Sequence, residues 1–257
     1  SQGREITSRL KDKRVVITQV TDYMGPISAK VFSKEGAVVF CDNSDLTKNG
    51  VCEEAISKIG GIDILVANLA SPTFSGIEIK NVRDDDWQAP FDMMVHPLHR
   101  LVRPVVPQMI ERKEGKIAVY GSVSALKGMK TLAAYSAARA ARLGYVQSVG
   151  VEVAASNIQI NLIAQNYIES DAYYPDSLMQ KEAFRESLKR QVPAGRLSTA
   201  EEDAALALFL ASQDSGFVQD KESLTQVDGC CKPVRLRSER TVIGGSSTES
   251  NKIMHIC

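Results

Sequence analysis

The feature that most restricts the fold is an alternation of short apolar runs with stretches at helical spacing. Residues 14–18 (RVVIT), 37–40, 62–66 (IDILV), 116–120, 158–163 and 222–227 read as strands. Short apolar runs bounded by polar turns suit strands that are covered on both faces. Between them, residues 25–35, 51–59, 84–109, 131–154 and 200–211 read as helices. Pro90, Pro97, Pro104 and Pro107 interrupt the third helix, and each removes a backbone donor, so kinks are expected there. Residues 165–198 read as a long polar and aromatic insertion with helical parts. The alternation predicts an α/β fold: a parallel, doubly wound sheet with helices on both faces. Only 20 residues separate Asp42 from Asp63, room for one helix but not for a helix, a strand and a second helix. Six strands are therefore expected, with one edge-side strand missing.

A chain of 257 residues is long enough to bury a full core. A single catalytic domain is expected over residues 1–233. Residues 234–257 are polar and contain Gly and Ser, which predicts a tail that is extended or lies on a neighbouring subunit. Lys+Arg and Asp+Glu balance at 31 each, so no overall field draws nucleic acid or an anionic membrane. No run approaches the roughly 20 apolar residues of a membrane span, and the first residues form no apolar signal core. Cys41, Cys52, Cys230, Cys231 and Cys257 show neither metal-type spacing nor a disulfide framework. A soluble, cytoplasmic protein without a metal is expected.

The chemistry concentrates in YGSVSALKGMKTLAAYSAARAAR, residues 120–142. Tyr135 and Arg139 are four residues apart, one turn on the same face of a helix. Ser122 can reach the same point from the end of the preceding strand. A phenol, a hydroxyl and a fixed cation at one spot suit removal of a proton from a substrate alcohol. A free tyrosine ionises at about pH 10, and a nearby guanidinium favours the phenolate. Arg139 is assigned that role, Tyr135 that of the base, and Ser122 that of positioning the substrate oxygen.

A dinucleotide site in such a sheet needs glycines after the first strand, so that the backbone can approach a pyrophosphate. Here the turn reads Thr18-Gln-Val-Thr-Asp-Tyr23-Met-Gly25 and keeps a single glycine. Gln19 and Tyr23 stand where glycines are expected, and the Tyr23 ring is placed in the phosphate space. Asp42, where a ribose-binding acid would sit, is read as a turn or cap residue. Opposite, the loop Gln165-Asn166-Tyr167-Ile168 and the later Tyr173-Tyr174-Pro175 lie beyond the strand ends, where ligands bind in doubly wound sheets. Inward-turned amides walled by aromatic rings make a nest for a small anion. His96 and His99 have no Cys/His partners in sequence and are read as structural.

These residues resemble the short-chain dehydrogenase/reductase superfamily, with its Rossmann-like sheet, which uses Ser, Tyr and a Lys four residues after the Tyr. The Asn that completes the proton relay of that superfamily falls near Met94 here. The chain is most similar to the halohydrin (haloalcohol) dehalogenases. Their Ser-x12-Tyr-x3-Arg motif is met by Ser122, Tyr135 and Arg139, and their Thr-x4-aromatic-x-Gly motif by Thr18, Tyr23 and Gly25. The similarity runs over residues 10–229 and is nearest to the B-type enzymes at LVANLA, VHPLHR, VYGS, AYSAAR, IAQ and VPAGRL. It departs at Asp228-Gly229-Cys230-Cys231, after which a long tail continues.

The resemblance implies a lyase that needs no cofactor. Such an enzyme converts vicinal haloalcohols to epoxides with release of halide and a proton, and opens epoxides with cyanide, azide or nitrite. It places halide binding at Tyr23, Asn166, Tyr167 and Ile168, a substrate pocket at Tyr173 and Tyr174, and a homotetramer built on the helices at 90–113 and 131–154. Two other readings stay open: an NAD(P)-dependent short-chain alcohol dehydrogenase with an atypical Ser-Tyr-Arg site, and a non-catalytic sensor of a small ligand.

Overall fold

The computed structural model describes residues 8–73, 76–171, 173–219 and 222–224. Six strands form one parallel sheet in the order β2-β1-β3-β4-β5-β6: β1 (Arg14–Thr18), β2 (Val38–Asp42), β3 (Ile64–Ala67), β4 (Gly115–Tyr120), β5 (Ile158–Ala164) and β6 (Glu222–Leu224). β2 is the edge strand beside β1, and a single helix, α2 (Val51–Ile59), carries the chain from β2 to β3. The short Asp42-to-Asp63 spacing therefore produces the truncated edge it predicts. The remaining helices are α1 (Gly25–Lys34), α3 (Asp84–Pro90), α4 (His96–Arg112), α5 (Ala133–Val153), the short α6 (Asp176–Met179), α7 (Glu182–Gln191) and α8 (Ala200–Ala211).

Alternate strand residues feed two apolar layers, as the period of two requires. Val16, Leu65, Ile117, Val119, Ile160 and Leu162 pack with residues of α2, α4 and α5. Val15, Ile17, Ile64, Val66 and Ile163 pack on the other face with Phe32 of α1 and Ala204, Ala207 and Leu208 of α8. The carboxyl ends of β1, β3, β4 and β5 share one edge, and the candidate site lies beyond it.

The prolines act less uniformly than their spacing predicts. α3 ends at Pro90 and passes through a π-helical turn, Phe91–Val95, into α4. Pro97 is the second residue of α4, directly after the π-helical turn. Pro104 and Pro107 lie inside α4 without ending it. Pro104 is half-buried and Pro107 exposed. The expected tail, 234–257, and Cys230, Cys231 and Cys257 lie outside the described residues. Among the described residues, no helix is long and apolar enough to cross a membrane.

Candidate active site

The catalytic face is built where β4 runs into α5. Gly121 follows β4 against Leu162, and an added Cβ would lie 2.3 Å from Leu162 Cδ2, so only glycine fits. Its N–H donates to the Ile163 carbonyl at 2.7 Å, tying this turn to β5. Ser122 then opens a 3-10 turn, Val123–Ala125, and its Oγ accepts from Ser124 N at 3.2 Å and Ser124 Oγ at 3.0 Å. Two donors on its lone pairs orient the hydroxyl, so its own proton is free to be given to a ligand.

On α5, the buried residues Tyr135, Arg139, Arg142 and Val146 recur at helical spacing along one face. Arg139 Nη2 donates to the Tyr135 hydroxyl at 2.7 Å, and the guanidinium carbon lies 4.9 Å from the Tyr135 ring centroid. Met94, from the π-helical turn, packs against Tyr135 and Ala138. The position where the superfamily resemblance places a relay asparagine is thus an apolar wall.

The first turn is closed upon itself. The amides of Val20, Asp22 and Gly25 donate to the carbonyls of Asp42, Gln19 and Asp22, at 3.2, 3.1 and 2.9 Å. Asn68 Nδ2 donates to the carbonyls of Gln19 and Asp22 at 3.0 and 2.9 Å, and Gln19 Oε1 accepts from Ala70 N at 3.0 Å. Gln19 and Tyr23 hold left-handed φ values of 46° and 49°. A bulky residue at positive φ is a genuine outlier, held only where its surroundings over-determine it. These residues do not fit a dinucleotide pyrophosphate. Two of the turn's amides already bond its own carbonyls, a third bonds the Asp42 carbonyl at the end of β2, and the Tyr23 phenol lines the cavity beside them.

The opposite wall is aromatic. Tyr173 packs on Tyr23 with ring centroids 5.9 Å apart and donates to the Ser71 carbonyl at 3.2 Å. Tyr174 stacks on Tyr167, at 6.2 Å, and touches Phe184 of α7. Tyr167 also has positive φ, 52°, which reverses the backbone between Asn166 and Ile168. Its carbonyl accepts from Ser198 N, and Glu169 N donates back to the Ser198 carbonyl, each at 2.9 Å. Burial first, then Asp22, pushes the Tyr23 phenol above its ordinary range. Burial first, then the Tyr135 phenol, does the same to Tyr173. Both walls are therefore neutral donors at ordinary pH.

One cavity of about 300 Å³ brings all nine sequence-derived residues together: Ser122, Tyr135 and Arg139 on one side, Tyr23, Asn166, Tyr167 and Ile168 on another, Tyr173 and Tyr174 at the third. Met129 and Leu132 add an apolar floor that sequence reasoning missed. It also missed Asn68 and Arg142. Arg142 could have been found by counting on along α5, since it follows Tyr135 by seven residues, two turns on the same face. Asp42, read as a turn or cap residue, is instead the last residue of β2, paired with Thr18, and its carboxylate accepts from Ser44 Oγ at 2.6 Å. His99 lies edge-on to Tyr145, and His96 lies beside Asp92.

The family described as Enoyl-(Acyl carrier protein) reductase matches residues 3–229, and the chain belongs to it, within the short-chain dehydrogenase/reductase superfamily. Among curated relatives, the chain is 29% identical over 238 residues to the 3-oxoacyl-(acyl-carrier-protein) reductase FabG of Thermotoga maritima, covering 82% of this chain and 94% of that protein. It is 32% identical over 196 residues to the acetoacetyl-CoA reductase of Shinella zoogloeoides, covering 74% and 78%. Among solved structures, one described as a dehalogenation enzyme shares 28% identity, with a TM-score of 0.75, over 84% of this chain and 97% of that one. A gluconate 5-dehydrogenase from Burkholderia cenocepacia, in complex with NADP and tartrate, shares 26% identity, with a TM-score of 0.77, over 87% and 96%.

Proposed function

We propose that the protein is a cofactor-independent halohydrin dehalogenase, acting on vicinal haloalcohols and, in reverse, on epoxides with small anions. One observation carries the reading. The bonded Tyr135–Arg139 pair shares its cavity with Tyr23, from a first turn that keeps a single glycine and has three of its amides bonded to backbone carbonyls. That arrangement supports proton chemistry over hydride chemistry.

The reaction follows from the placement. Tyr135 takes the proton from the substrate hydroxyl, and Arg139 stabilises the phenolate. Ser122 donates its proton to the same oxygen and holds it in line. The new C–O bond closes the epoxide as the carbon–halogen bond breaks, and the bonding pair leaves with the halide. The reversed backbone at Asn166, Tyr167 and Ile168, walled by Tyr23, receives that charge where it develops. The proton on Tyr135 returns to water, which resets the site.

Purified protein without added nicotinamide is expected to release chloride from a vicinal dichloropropanol. Absence of release under that condition overturns the reading. The names of the curated relatives favour a second reading, an NAD(P)-dependent reductase. Saturable micromolar binding in a titration of intrinsic fluorescence with NADH or NADPH would support it.

A further inference from the structure

Two guanidinium groups stand behind Tyr135, and among the described residues no carboxylate pairs with either. Arg139 is 5% exposed and Arg142 0%. Arg139 Nη1 and Arg142 Nη2 donate to the same carbonyl, that of Tyr120, at 3.3 and 2.8 Å. Arg142 Nη1 donates to the Leu69 carbonyl at 2.8 Å. The Nε of each arginine is buried and without a partner among the described residues. Burying one unpaired cation is costly, and burying two side by side adds their mutual repulsion. Among the described residues, the one ionisable group bonded to either guanidinium is the Tyr135 hydroxyl. A negative charge on that oxygen supplies what the pair lacks.

We propose that Arg142 is a positioning residue that acts through Tyr135: its charge, added behind that of Arg139, stabilises the Tyr135 phenolate in the ligand-free protein. Its two backbone bonds fix where that charge sits, because they clamp the chain just beyond β3 and at the end of β4. Other groups facing Tyr135 do not duplicate the effect. Tyr23 and Tyr173 come from the two loops across the cavity and are neutral phenols at ordinary pH. Glu169 lines the same cavity, and its negative charge opposes ionisation. On the α3 side, Asp86 borders the crevice beside Tyr135 and is engaged by Arg83. In the π-helical turn, Asp92 lies beside His96.

The proposal rests on Tyr135 being the proton acceptor, and its test does not require turnover. The ultraviolet difference signal of tyrosinate is titrated in the full chain, with Tyr135→Phe as the blank that isolates one residue. Arg142→Gln keeps a neutral N–H donor and removes the charge, whereas Arg142→Lys keeps the charge. Tyr135 is expected to ionise about one pH unit or more higher in Arg142→Gln and close to wild type in Arg142→Lys. A purely structural clamp predicts the same upward shift in both variants, since neither Gln nor Lys supplies the two nitrogens that hold the Leu69 and Tyr120 carbonyls. A folded Arg142→Gln that titrates as wild type overturns the proposal. If that variant does not fold, Arg142→Met is the second uncharged form and is read the same way. If only Arg142→Lys folds, wild-type ionisation supports the proposal and a shift upward overturns it. Failure of halide release with the titration shift intact would remove the proposed reaction and leave the role of Arg142 standing.

Discussion

Two chain segments leave neighbouring regions of the sheet edge and meet at the same cavity, yet they are built on opposite terms. The turn after β1 spends its polar groups on itself. The amides of Val20, Asp22 and Gly25 bond backbone carbonyls, and Asn68 and Gln19 cross-link the turn to the end of β3. The segment from Ser122 to Arg139 does the reverse, presenting a serine hydroxyl, a phenol and a guanidinium to the cavity. On the proposed function, deprotonating an alcohol and seating a dinucleotide are separable parts of one fold. A chain can close the second and keep the first.

The sharpest break in this comparison is removal of the phenol. Tyr135→Phe is expected to lower halide release by at least about a hundredfold, the low end of what a positioned base contributes. Its far-ultraviolet circular dichroism should match wild type, since the ring still packs on Met94 and Ala138. Full activity in that variant would place the proton acceptor elsewhere. Arg139→Ala is expected to be milder, with activity surviving but its optimum moved to higher pH, because the phenolate then forms without its bonded cation. An unmoved pH–rate profile would show that Arg139 only packs.

On the closed side, Tyr23 carries two separable contributions, and two variants divide them. Tyr23→Ala and Tyr23→Gly both remove the ring that meets Tyr173, and each should weaken halide inhibition by about tenfold, roughly 1.4 kcal/mol. They differ in backbone strain, because φ is 49° at this position. Glycine adopts that conformation freely, so Tyr23→Gly should be more stable to urea than Tyr23→Ala by about 1 kcal/mol. Equal midpoints would mean that the turn relaxes once the ring is gone.

The doubly wound parallel sheet, the missing edge strand and the helix at 200–211 were legible because burial and period restrict short apolar runs to few arrangements. The Tyr135–Arg139 contact was legible for the same reason, since a four-residue step on a helix is geometry. What escaped was set by tertiary contacts. Nothing in the local sequence says that Asn68 donates to the turn after β1, because the two are brought together only by β1–β3 pairing. The left-handed φ at Gln19, Tyr23 and Tyr167 was equally hidden, since local preference argues against it at all three. Strand limits also moved: β2 begins at Val38 and reaches Asp42, where it pairs with Thr18, because the partner strand decides where a ladder ends.

The smallest expected effect concerns the support of the anion loop rather than the loop itself. Thr199 caps α8 and Glu202 closes the capping box, with its carboxylate accepting from Thr199 N at 2.9 Å and from Arg196 at 2.8 and 2.6 Å. Ser198, immediately before the cap, bridges to Ile168 and exchanges backbone bonds with Tyr167 and Glu169. Arg196 first, then the Thr199 amide, holds the Glu202 carboxyl at about 2, below its ordinary 4.5. A depressed value in the folded state means stability that is complete above about 4.5 and is lost as pH falls through about 2. Glu202→Gln should therefore lower the melting temperature by a few degrees near neutral pH, with the gap to wild type closing as pH falls through that window. Halide inhibition should weaken slightly in the same variant, because the cap and the anion loop share Ser198. A gap in melting temperature that persists unchanged to the acid end would show that the carboxylate charge is not what secures the cap.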